Sequence, residues 1–332
     1  MARILVTGAA GFIGSHTVEV FLEAGHEVLG IDNLRTGRLQ NLDSASRCPR
    51  FQFCQLDLLD RAQFNYRVRQ FSPQALVHLA ALVSVPQSIS MPELNFRLNI
   101  ESTFVVAEAA RRYGVQRLVF ASSAAVYGNS EKLPLTESTL AVPISPYGAA
   151  KLASENILLG HAYGYGIGVR IQRYFNVYGP RQDPTSAYSG VISVFARQSK
   201  EQTPATIFGD GKQTRDFVYV RDAARANLLA ATLTELPTGA ANICTGKGTS
   251  LLDLADIFSR HYPGIPEPIL EEPRAGDIRH SVGSWRAADR TLGFRAQWGI
   301  EAGLTELIRA GDARFSAKPS TRAPSDRADC LQ

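Results

Sequence analysis

Residues 2–14 read ARILVTGAAGFIG, and residues 15–32 continue SHTVEVFLEAGHEVLGID. A short apolar run at residues 2–7 predicts a buried strand, and the glycines after it predict a turn. Apolar residues then recur at helical spacing through Phe12–Ala24, and a second apolar run follows at His26–Ile31. The stretch therefore predicts a strand, a turn, a helix and a second strand in that order.

The same alternation continues through the first half of the chain. Further strands are predicted at Phe51–Leu56, Ala75–Leu79, Leu118–Ser122 and Val169–Tyr174, with helices at Arg61–Gln70 and Asn99–Tyr113 and one starting at Tyr147. Continuously apolar strands alternating with helices predict an α/β fold with a doubly wound parallel sheet. Beyond residue 175 the elements become shorter and prolines and glycines more frequent, so residues 176–312 are predicted to form a smaller C-terminal α/β lobe. The polar residues 313–332 are predicted to be a disordered tail.

Composition excludes several classes of protein. The chain has 332 residues, of which 45% are hydrophobic and 20% charged, so it can bury a large core. Its 35 basic residues are interspersed with 31 acidic ones, which argues against a nucleic acid partner. The four cysteines lack the spacing of a metal site or a disulfide framework, which fits a reducing cytoplasm. No apolar run approaches the roughly 18 residues of a membrane span.

The glycine-rich turn and the residue that ends the second strand predict a dinucleotide site. The three glycines of the turn are Gly8, Gly11 and Gly14. Their missing side chains allow a tight turn and a close approach of backbone N–H groups to a pyrophosphate. Asp32 ends the second strand, where its carboxylate can bind a ribose and repel a 2′-phosphate, which favours NAD over NADP. Arg35 and Arg38 follow closely and leave a phosphate-binding alternative open.

A tyrosine and a lysine four residues apart predict an acid–base pair. Tyr147 and Lys151 share one face at the start of a helix that Ser145 can cap. A nearby lysine cation stabilises a phenolate, which makes the tyrosine a usable general base. Ser122 and Ser123 end the preceding strand at the carboxyl edge of the sheet, where ligands bind in open α/β folds.

Several motifs in one order resemble a known family. They are Thr7–Gly14 (TGAAGFIG), Ser122–Gly128 (SSAAVYG), Tyr147 with Lys151, Arg173–Asn176 (RYFN) and Gly209–Val220 (GDGKQTRDFVYV). From residue 2 to about residue 310 the chain resembles the extended short-chain dehydrogenase/reductases, and within them the UDP-glucose/UDP-galactose 4-epimerase group. The resemblance implies a Rossmann-type NAD-binding domain at residues 1–175 and a lobe at residues 176–312 that mainly binds a UDP-sugar.

The resemblance also implies roles for individual residues. Tyr147 is expected to be the catalytic base and acid, Ser123 its hydroxyl partner, and Lys151 the group that holds the nicotinamide ribose and lowers the tyrosine pKa. The expected cofactor-binding residues are Gly8, Gly11, Phe12, Ile13, Gly14, Asp32, Asn33, Asp57, Leu58, Ala80, Asn99, Ser122, Tyr147, Lys151 and Tyr174. The expected substrate-binding residues are Ser84, Ser123, Tyr147, Asn176, Arg215, Arg274, Asp277 and Ser281. No metal is expected.

Two short segments refine the expected reaction and substrate. Dehydratases and decarboxylases of this group carry an extra acid after the catalytic hydroxyl, whereas this chain has Ala124 and Ala125, which leaves 4-epimerisation. By alignment with the group, Ser281 stands where plain-hexose epimerases have a bulky residue, and a small one leaves room for an acetamido group. This favours UDP-N-acetylglucosamine and its galacto epimer, with UDP-glucose as a further substrate. An alignment shifted by one residue would instead place His280 or Val282 there.

Rival functions remain open at this point. A 4-reductase, a UDP-glucuronate epimerase or another sugar nucleotide oxidoreductase would use the same tyrosine and lysine. A non-catalytic NAD-sensing regulator typically lacks one of the two, and both are present here. The resemblance further implies a homodimer that pairs through the helices at Asn99–Tyr113 and Tyr147–Tyr163, although the apolar residues there, such as Phe104 and Val105, could equally be core.

Overall fold

The computed structural model describes residues 1–183, 190–273 and 278–316. Its strands are β1 (Arg3–Thr7), β2 (Glu27–Asp32), β3 (Phe51–Gln55), β4 (Ala75–His78), β5 (Arg117–Ser123), β6 (Gly168–Tyr174), β7 (Asn176–Tyr178), β8 (Thr206–Phe208), β9 (Thr214–Arg215), β10 (Phe217–Tyr219), β11 (Gly239–Ile243), β12 (Thr249–Ser250), β13 (Ile269–Glu271) and β14 (His280–Ser281). Its α-helices are α1 (Phe12–Glu23), α2 (Arg61–Phe71), α3 (Val85–Ser90), α4 (Pro92–Asn95), α5 (Ser102–Arg112), α6 (Pro146–Tyr165), α7 (Val191–Lys200), α8 (Val220–Thr232), α9 (Leu251–His261), α10 (Arg286–Leu292) and α11 (Ile300–Ser316).

A seven-stranded parallel sheet organises the molecule. The strands lie in the order β11-β6-β5-β4-β1-β2-β3, and every neighbouring pair is parallel. The chain moves outward from β1 to β3 and then crosses to β4 on the other side of β1, which creates a switch point where ligands bind in open α/β sheets. The predicted Rossmann-type, doubly wound sheet is confirmed, and the predicted strand ends agree to within one or two residues.

The sheet is covered on both faces, and alternating side chains of its strands enter two different cores. Ile4 and Val6 of β1 pack toward α1 and α8, whereas Leu5 packs toward α2, α5 and α6. All three side chains are fully buried. This burial on both faces explains why the strands read as continuous apolar runs rather than as alternating patterns.

One predicted helix begins differently from the expectation. The pattern at Asn99–Tyr113 predicts a helix from residue 99, but the regular α-helix begins at Ser102 and follows a π-helical turn, Phe96–Glu101. Such turns occur frequently at functional sites. Apolar periodicity does not reveal this turn, because the residues buried before and within it are the polar Asn95 and Asn99.

Part of the second half of the chain returns to the sheet. Helix α8 packs against α1 through alanines such as Ala223 and Ala226, and β11 adds the seventh strand beside β6. The remaining small sheets β10-β7, β12-β9-β14 and β13-β8 form the second lobe with a separate core around Phe195 and Phe258. Residue 175 therefore does not separate the two parts cleanly.

The C-terminal end of the described chain is helical. Helix α11 extends to Ser316, four residues into the segment predicted as a tail, and residues 317–332 lie outside the described residues. Within the described ranges, no helix has both the length and the apolar character needed to cross a lipid bilayer.

Candidate active site

The glycine-rich turn after β1 is packed so tightly that side chains would not fit. Gly8 has a φ of +70°, and a Cβ there would lie 2.7 Å from the backbone nitrogen of Ala80. A Cβ on Gly14 would lie 1.9 Å from the carbonyl oxygen of Gly8. Helix α1 begins directly after Gly11, at Phe12 and Ile13, so its free N–H groups lie beside this turn. The turn and the helix start fit the pyrophosphate of a dinucleotide.

Asp32 is buried at the end of β2 and is oriented by the backbone. Its carboxylate accepts hydrogen bonds from Ala10 N at 3.0 Å and from Leu34 N at 2.8 Å. Burial raises the pKa of Asp32, and these two hydrogen bonds oppose that shift. Of the two arginines that could bind a phosphate instead, Arg38 forms an ion pair with Asp183 at 2.5 Å and Arg35 is exposed. The buried, fixed carboxylate of Asp32 fits the 2′-hydroxyl of NAD better than a 2′-phosphate.

The residues expected beside the adenine and nicotinamide are held by other parts of the protein. Asn33 Nδ2 donates to Asp57 Oδ2 at 3.0 Å, while the side chain of Leu58 packs in the core. Asn99, in the π-helical turn, donates to Leu82 O at 3.0 Å and accepts from Leu82 N at 3.2 Å. These contacts fix the segment after β4, which contains Ala80 and the helix-capping Ser84. Whether these residues also contact the cofactor or the substrate stays a prediction.

The predicted catalytic residues meet at the carboxyl end of β5. Ser145 caps α6 by accepting from Gly148 N at 3.1 Å, which positions Tyr147 in the first turn. Lys151 Nζ donates to Ala121 O at 2.9 Å and lies 5.9 Å from the centroid of the Tyr147 ring. The Ser123 hydroxyl faces the Tyr147 phenol and favours its ionised form.

Burial brings the pKa of Lys151 close to neutral pH, so that nearby charges decide whether this lysine is protonated. Desolvation lowers the pKa of Lys151 to about 7, and the Glu155 carboxylate opposes the shift. Desolvation also raises the pKa of Tyr147. His78 at the end of β4 has a pKa lowered to about 3 by burial and by the Lys151 cation, so it is neutral. A protonated Lys151 beside Tyr147 is therefore the charge that can stabilise a phenolate here.

Two expected cofactor ligands direct their hydroxyl groups into the protein. Ser122 Oγ donates to Glu155 Oε1 at 2.5 Å. Tyr174 OH is bonded to Gln172 at 2.9 Å and to Asn227 at 2.7 Å. Both residues lie at the carboxyl ends of their strands, so their backbones are at the predicted edge of the sheet although their hydroxyl groups are engaged elsewhere. Side-chain direction on a strand depends on its register against neighbours, which the motif alone does not give.

Sequence reasoning assigned no role to Glu155 or to the Arg173 side chain. Arg173 forms a bidentate pair with the Glu155 carboxylate, at 3.0 Å from Nε and 2.6 Å from Nη2. The sequence did contain a signal for Glu155, which follows Lys151 by four residues and so shares its face of α6. Arg173 is the first residue of the RYFN motif.

The second lobe brings some of the expected substrate residues together. Ser281 of β14 is directly in register with Arg215 of β9, and it is buried while its neighbour His280 is exposed. Asn176 donates from its backbone N to the carbonyl oxygen of Asp216 at 3.0 Å. Arg274 and Asp277 lie outside the described residues.

Asp216 organises this part of the lobe, although only its motif was noted in the sequence. It is fully buried, and its carboxylate accepts from Thr245 N at 2.8 Å, Gly246 N at 2.9 Å and Gly283 N at 3.3 Å. Burial raises the pKa of Asp216, and these hydrogen bonds oppose that shift. The carboxylate thereby ties the loop after β11 and the end of β14 to the strand of Arg215.

Known proteins share this architecture across almost the whole chain. Residues 4–244 match the NAD dependent epimerase/dehydratase family. A UDP-glucose 4-epimerase from Mycolicibacterium smegmatis is 37% identical over 310 residues, which cover 92% of this chain and 97% of that protein. The structure of a UDP-glucose 4-epimerase from Thermotoga maritima has a TM-score of 0.89 and 36% identity, covering 94% of this chain and 99% of its own.

A second solved structure is equally similar in shape. The UDP-N-acetylglucosamine 4-epimerase from Methanobrevibacter ruminantium has a TM-score of 0.89 and 33% identity, covering 94% of this chain and 99% of its own. The glycine-rich turn, the buried aspartate and the serine–tyrosine–lysine group thus occur in a chain that matches such enzymes over more than nine-tenths of its length. This chain belongs to the NAD dependent epimerase/dehydratase family.

Proposed function

We propose that this protein is a UDP-hexose 4-epimerase that retains NAD and acts through a 4-keto sugar. The observation that carries the proposal is the arrangement of Ser123, Tyr147 and Lys151 at the carboxyl end of β5, two strands away from the glycine-rich turn. A general base and a dinucleotide cradle at one sheet edge suit the removal of a hydroxyl proton together with a hydride.

The protein's own groups handle the proton. Tyr147, as a phenolate, accepts the proton of the sugar 4-hydroxyl, and the Ser123 hydroxyl orients that hydroxyl group. Lys151 stabilises the phenolate by its charge, and its own position is set by Ala121 O. Bound NAD supplies the hydride acceptor for C4 and the hydride donor for the opposite face of the ketone. Tyr147 then returns the proton, so that the enzyme ends the cycle unchanged.

The residues after Ser123 support epimerisation over elimination. Ala124 and Ala125 form the start of a 3₁₀ turn directly after β5. Their methyl groups cannot donate or accept a proton, so these positions offer no acid for expelling a leaving group at a neighbouring carbon. Proton transfer at the 4-hydroxyl by Tyr147 remains the chemistry that this part of the site supports.

The packing of β14 favours Ser281, rather than His280 or Val282, as the residue beside the sugar. A small residue there leaves room for an acetamido group. Ser281 is 8% exposed and in register with Arg215, whereas His280 is exposed and its Nδ1 lies 2.9 Å from Thr214 Oγ1. Val282 packs against Gly248, since a Cβ on that glycine would lie 2.9 Å from Val282 Cγ2. We therefore propose UDP-N-acetylglucosamine and UDP-N-acetylgalactosamine as the main substrates, with UDP-glucose and UDP-galactose as further ones.

One experiment tests the proposed activity and its cofactor together. The purified protein is incubated without added cofactor, separately with UDP-N-acetylglucosamine and UDP-glucose, and the 4-epimers are followed by proton NMR. Conversion of the acetamido substrate supports an epimerase with retained NAD. Conversion of UDP-glucose alone contradicts the substrate proposal. No conversion of either, even with NAD added, would reject a 4-epimerase acting on these two substrates and favour a sugar nucleotide reductase, a UDP-glucuronate epimerase or a non-catalytic NAD sensor.

Enlarging the residue at 281 should change substrate choice. We expect Ser281→Tyr to lower kcat/KM for UDP-N-acetylglucosamine about 100-fold and to leave UDP-glucose within about threefold, because hydrophobic pocket size discriminates by about 1–3 kcal/mol. His280→Tyr adds the same side chain at the exposed neighbour and should alter neither substrate. If Ser281→Tyr lost equal activity on both substrates, residue 281 would not be the one that limits the size of the sugar substituent.

The oligomeric state and the cellular location of the protein stay predictions. We propose a homodimer that pairs through α5 and α6, because Phe104 on α5 is 41% exposed and Tyr163 on α6 is 80% exposed. Val105, named with Phe104 from the sequence, is instead core. A cytoplasmic location is proposed from the cysteine pattern alone.

A further inference from the structure

Three consecutive residues at the end of β5 contact three residues spaced four apart on α6. The contacts are Lys151 Nζ with Ala121 O at 2.9 Å, Ser122 Oγ with Glu155 Oε1 at 2.5 Å, and the Ser123 hydroxyl with the Tyr147 phenol. Residues four apart lie on the same face of a helix. The three contacts therefore hold α6 against β5 in one register.

Glu155 is also one half of a buried ion pair. Glu155 is 2% exposed, and its carboxylate binds Arg173 through two parallel hydrogen bonds, of 3.0 Å and 2.6 Å. Arg173 Nη1 donates to Tyr127 OH at 3.0 Å, and its guanidinium carbon lies 4.9 Å from the centroid of that ring. Bidentate charge-assisted pairs are strong and geometrically specific. Loss of either partner would leave the other charge buried and unbalanced.

The groups around Lys151 give this pair an electrostatic effect on the site. His78 on β4 is neutral, and Tyr147 and Glu155 face the lysine from its own helix. Arg173 lies on β6, and its positive charge is balanced by the Glu155 carboxylate. Within the described residues, Glu155 is the charged neighbour that raises the pKa of Lys151 against the effect of burial.

We propose that Glu155 is a positioning residue for the reaction: it fixes the register of α6 on β5 and keeps Lys151 protonated beside Tyr147, while Arg173 balances its charge. The inference rests on the proposed function, in which a protonated Lys151 stabilises the Tyr147 phenolate. Removing the charge of Glu155 and removing that of Arg173 should therefore have opposite effects on Lys151.

The protonation of Lys151 can be measured without substrate. The chain contains only six lysines, at positions 132, 151, 200, 212, 247 and 318, so ¹³C-labelled lysine side chains can be titrated by NMR, with Lys151→Met to assign the signal. We expect Glu155→Gln to lower the titration midpoint of Lys151 by about one pH unit and Arg173→Gln to raise it by about as much. The double variant Glu155→Gln/Arg173→Gln should titrate near the unmodified protein.

Steady-state kinetics of the same variants distinguish a positioning role of Glu155 from a purely structural one. In Glu155→Gln we expect kcat near neutral pH to fall about tenfold with little change in KM, and the alkaline limb of the pH profile to move to lower pH. Shifts of Lys151 in the same direction in both single variants, or no shift in either, would overturn the proposal.

The titration still tests the proposal if Glu155→Gln fails to fold or if the protein does not epimerise UDP-sugars. If Glu155→Gln does not fold, Arg173→Gln and the double variant still test the sign, since an unshifted midpoint in Arg173→Gln would contradict the proposal. Because the NMR titration uses no substrate, a failure of the unmodified protein to epimerise UDP-sugars would reject the proposed function without changing the result for Lys151.

Discussion

Tyr147→Phe should lower kcat for UDP-sugar epimerisation by about 10³-fold, within the range that a single general acid–base group contributes. The phenyl ring keeps the packing of a side chain that is 9% exposed, so the change removes the proton-transfer group and little else. NAD content and thermal stability should stay near those of the unmodified protein. The measurement is kcat by proton NMR, together with the absorbance of NAD released on denaturation.

A matched control lies on α2. Tyr66 is 55% exposed, and Tyr66→Phe makes the identical chemical change away from β5 and from the two helices of the proposed dimer. We expect its activity to match the unmodified protein within about twofold. Ser123→Ala should show an intermediate loss of about 10²-fold, since the hydroxyl orients rather than accepts the proton. Activity retained in Tyr147→Phe would exclude this residue as the base and with it the proposed mechanism.

The fold was accessible from the sequence because both faces of the sheet are buried. Strands such as β1 and β5 contain apolar runs, at residues 4–6 and 118–121, and helical segments alternate with the strands, so their order predicts a parallel sheet. The seventh strand was not predicted. Residues Gly239–Ile243 of β11 are short and glycine-containing and lie beyond the proline-rich region, and only tertiary contact with β6 makes them part of the sheet.

The candidate site was predictable wherever a motif corresponds to a local geometry. The glycine turn, Asp32 and the Tyr147–Lys151 pair depend on a strand end or one helical turn, and the structure brings each to the expected edge. The ion pair of Glu155 with Arg173 depends instead on the register of α6 against β5 and β6, which local sequence does not encode. The same limit explains Ser122, whose position was predicted but whose hydroxyl points to Glu155.

Gly14→Ala should abolish retention of NAD and destabilise the protein. The added methyl carbon would lie 1.9 Å from the Gly8 carbonyl oxygen, and because that atom is backbone, the turn itself must move. Overpacking of this kind costs about 1–3 kcal/mol or more. The displaced turn should also lose the close backbone approach to the pyrophosphate, which predicts an NAD affinity at least about 100-fold weaker. NAD content after purification and the melting temperature measure the two effects.

Gly311→Ala in α11 supplies the comparison, because it makes the same substitution within a helix where the methyl group meets nothing within 4 Å. Alanine is the better helix former by about 0.5–1 kcal/mol, so this variant should keep its NAD and melt at the same or a slightly higher temperature. The contrast isolates the contact with Gly8 from the general effect of replacing a helical glycine. Normal NAD content and melting in Gly14→Ala would mean that the turn can relax, and the pyrophosphate would then have to be held elsewhere than at the start of α1.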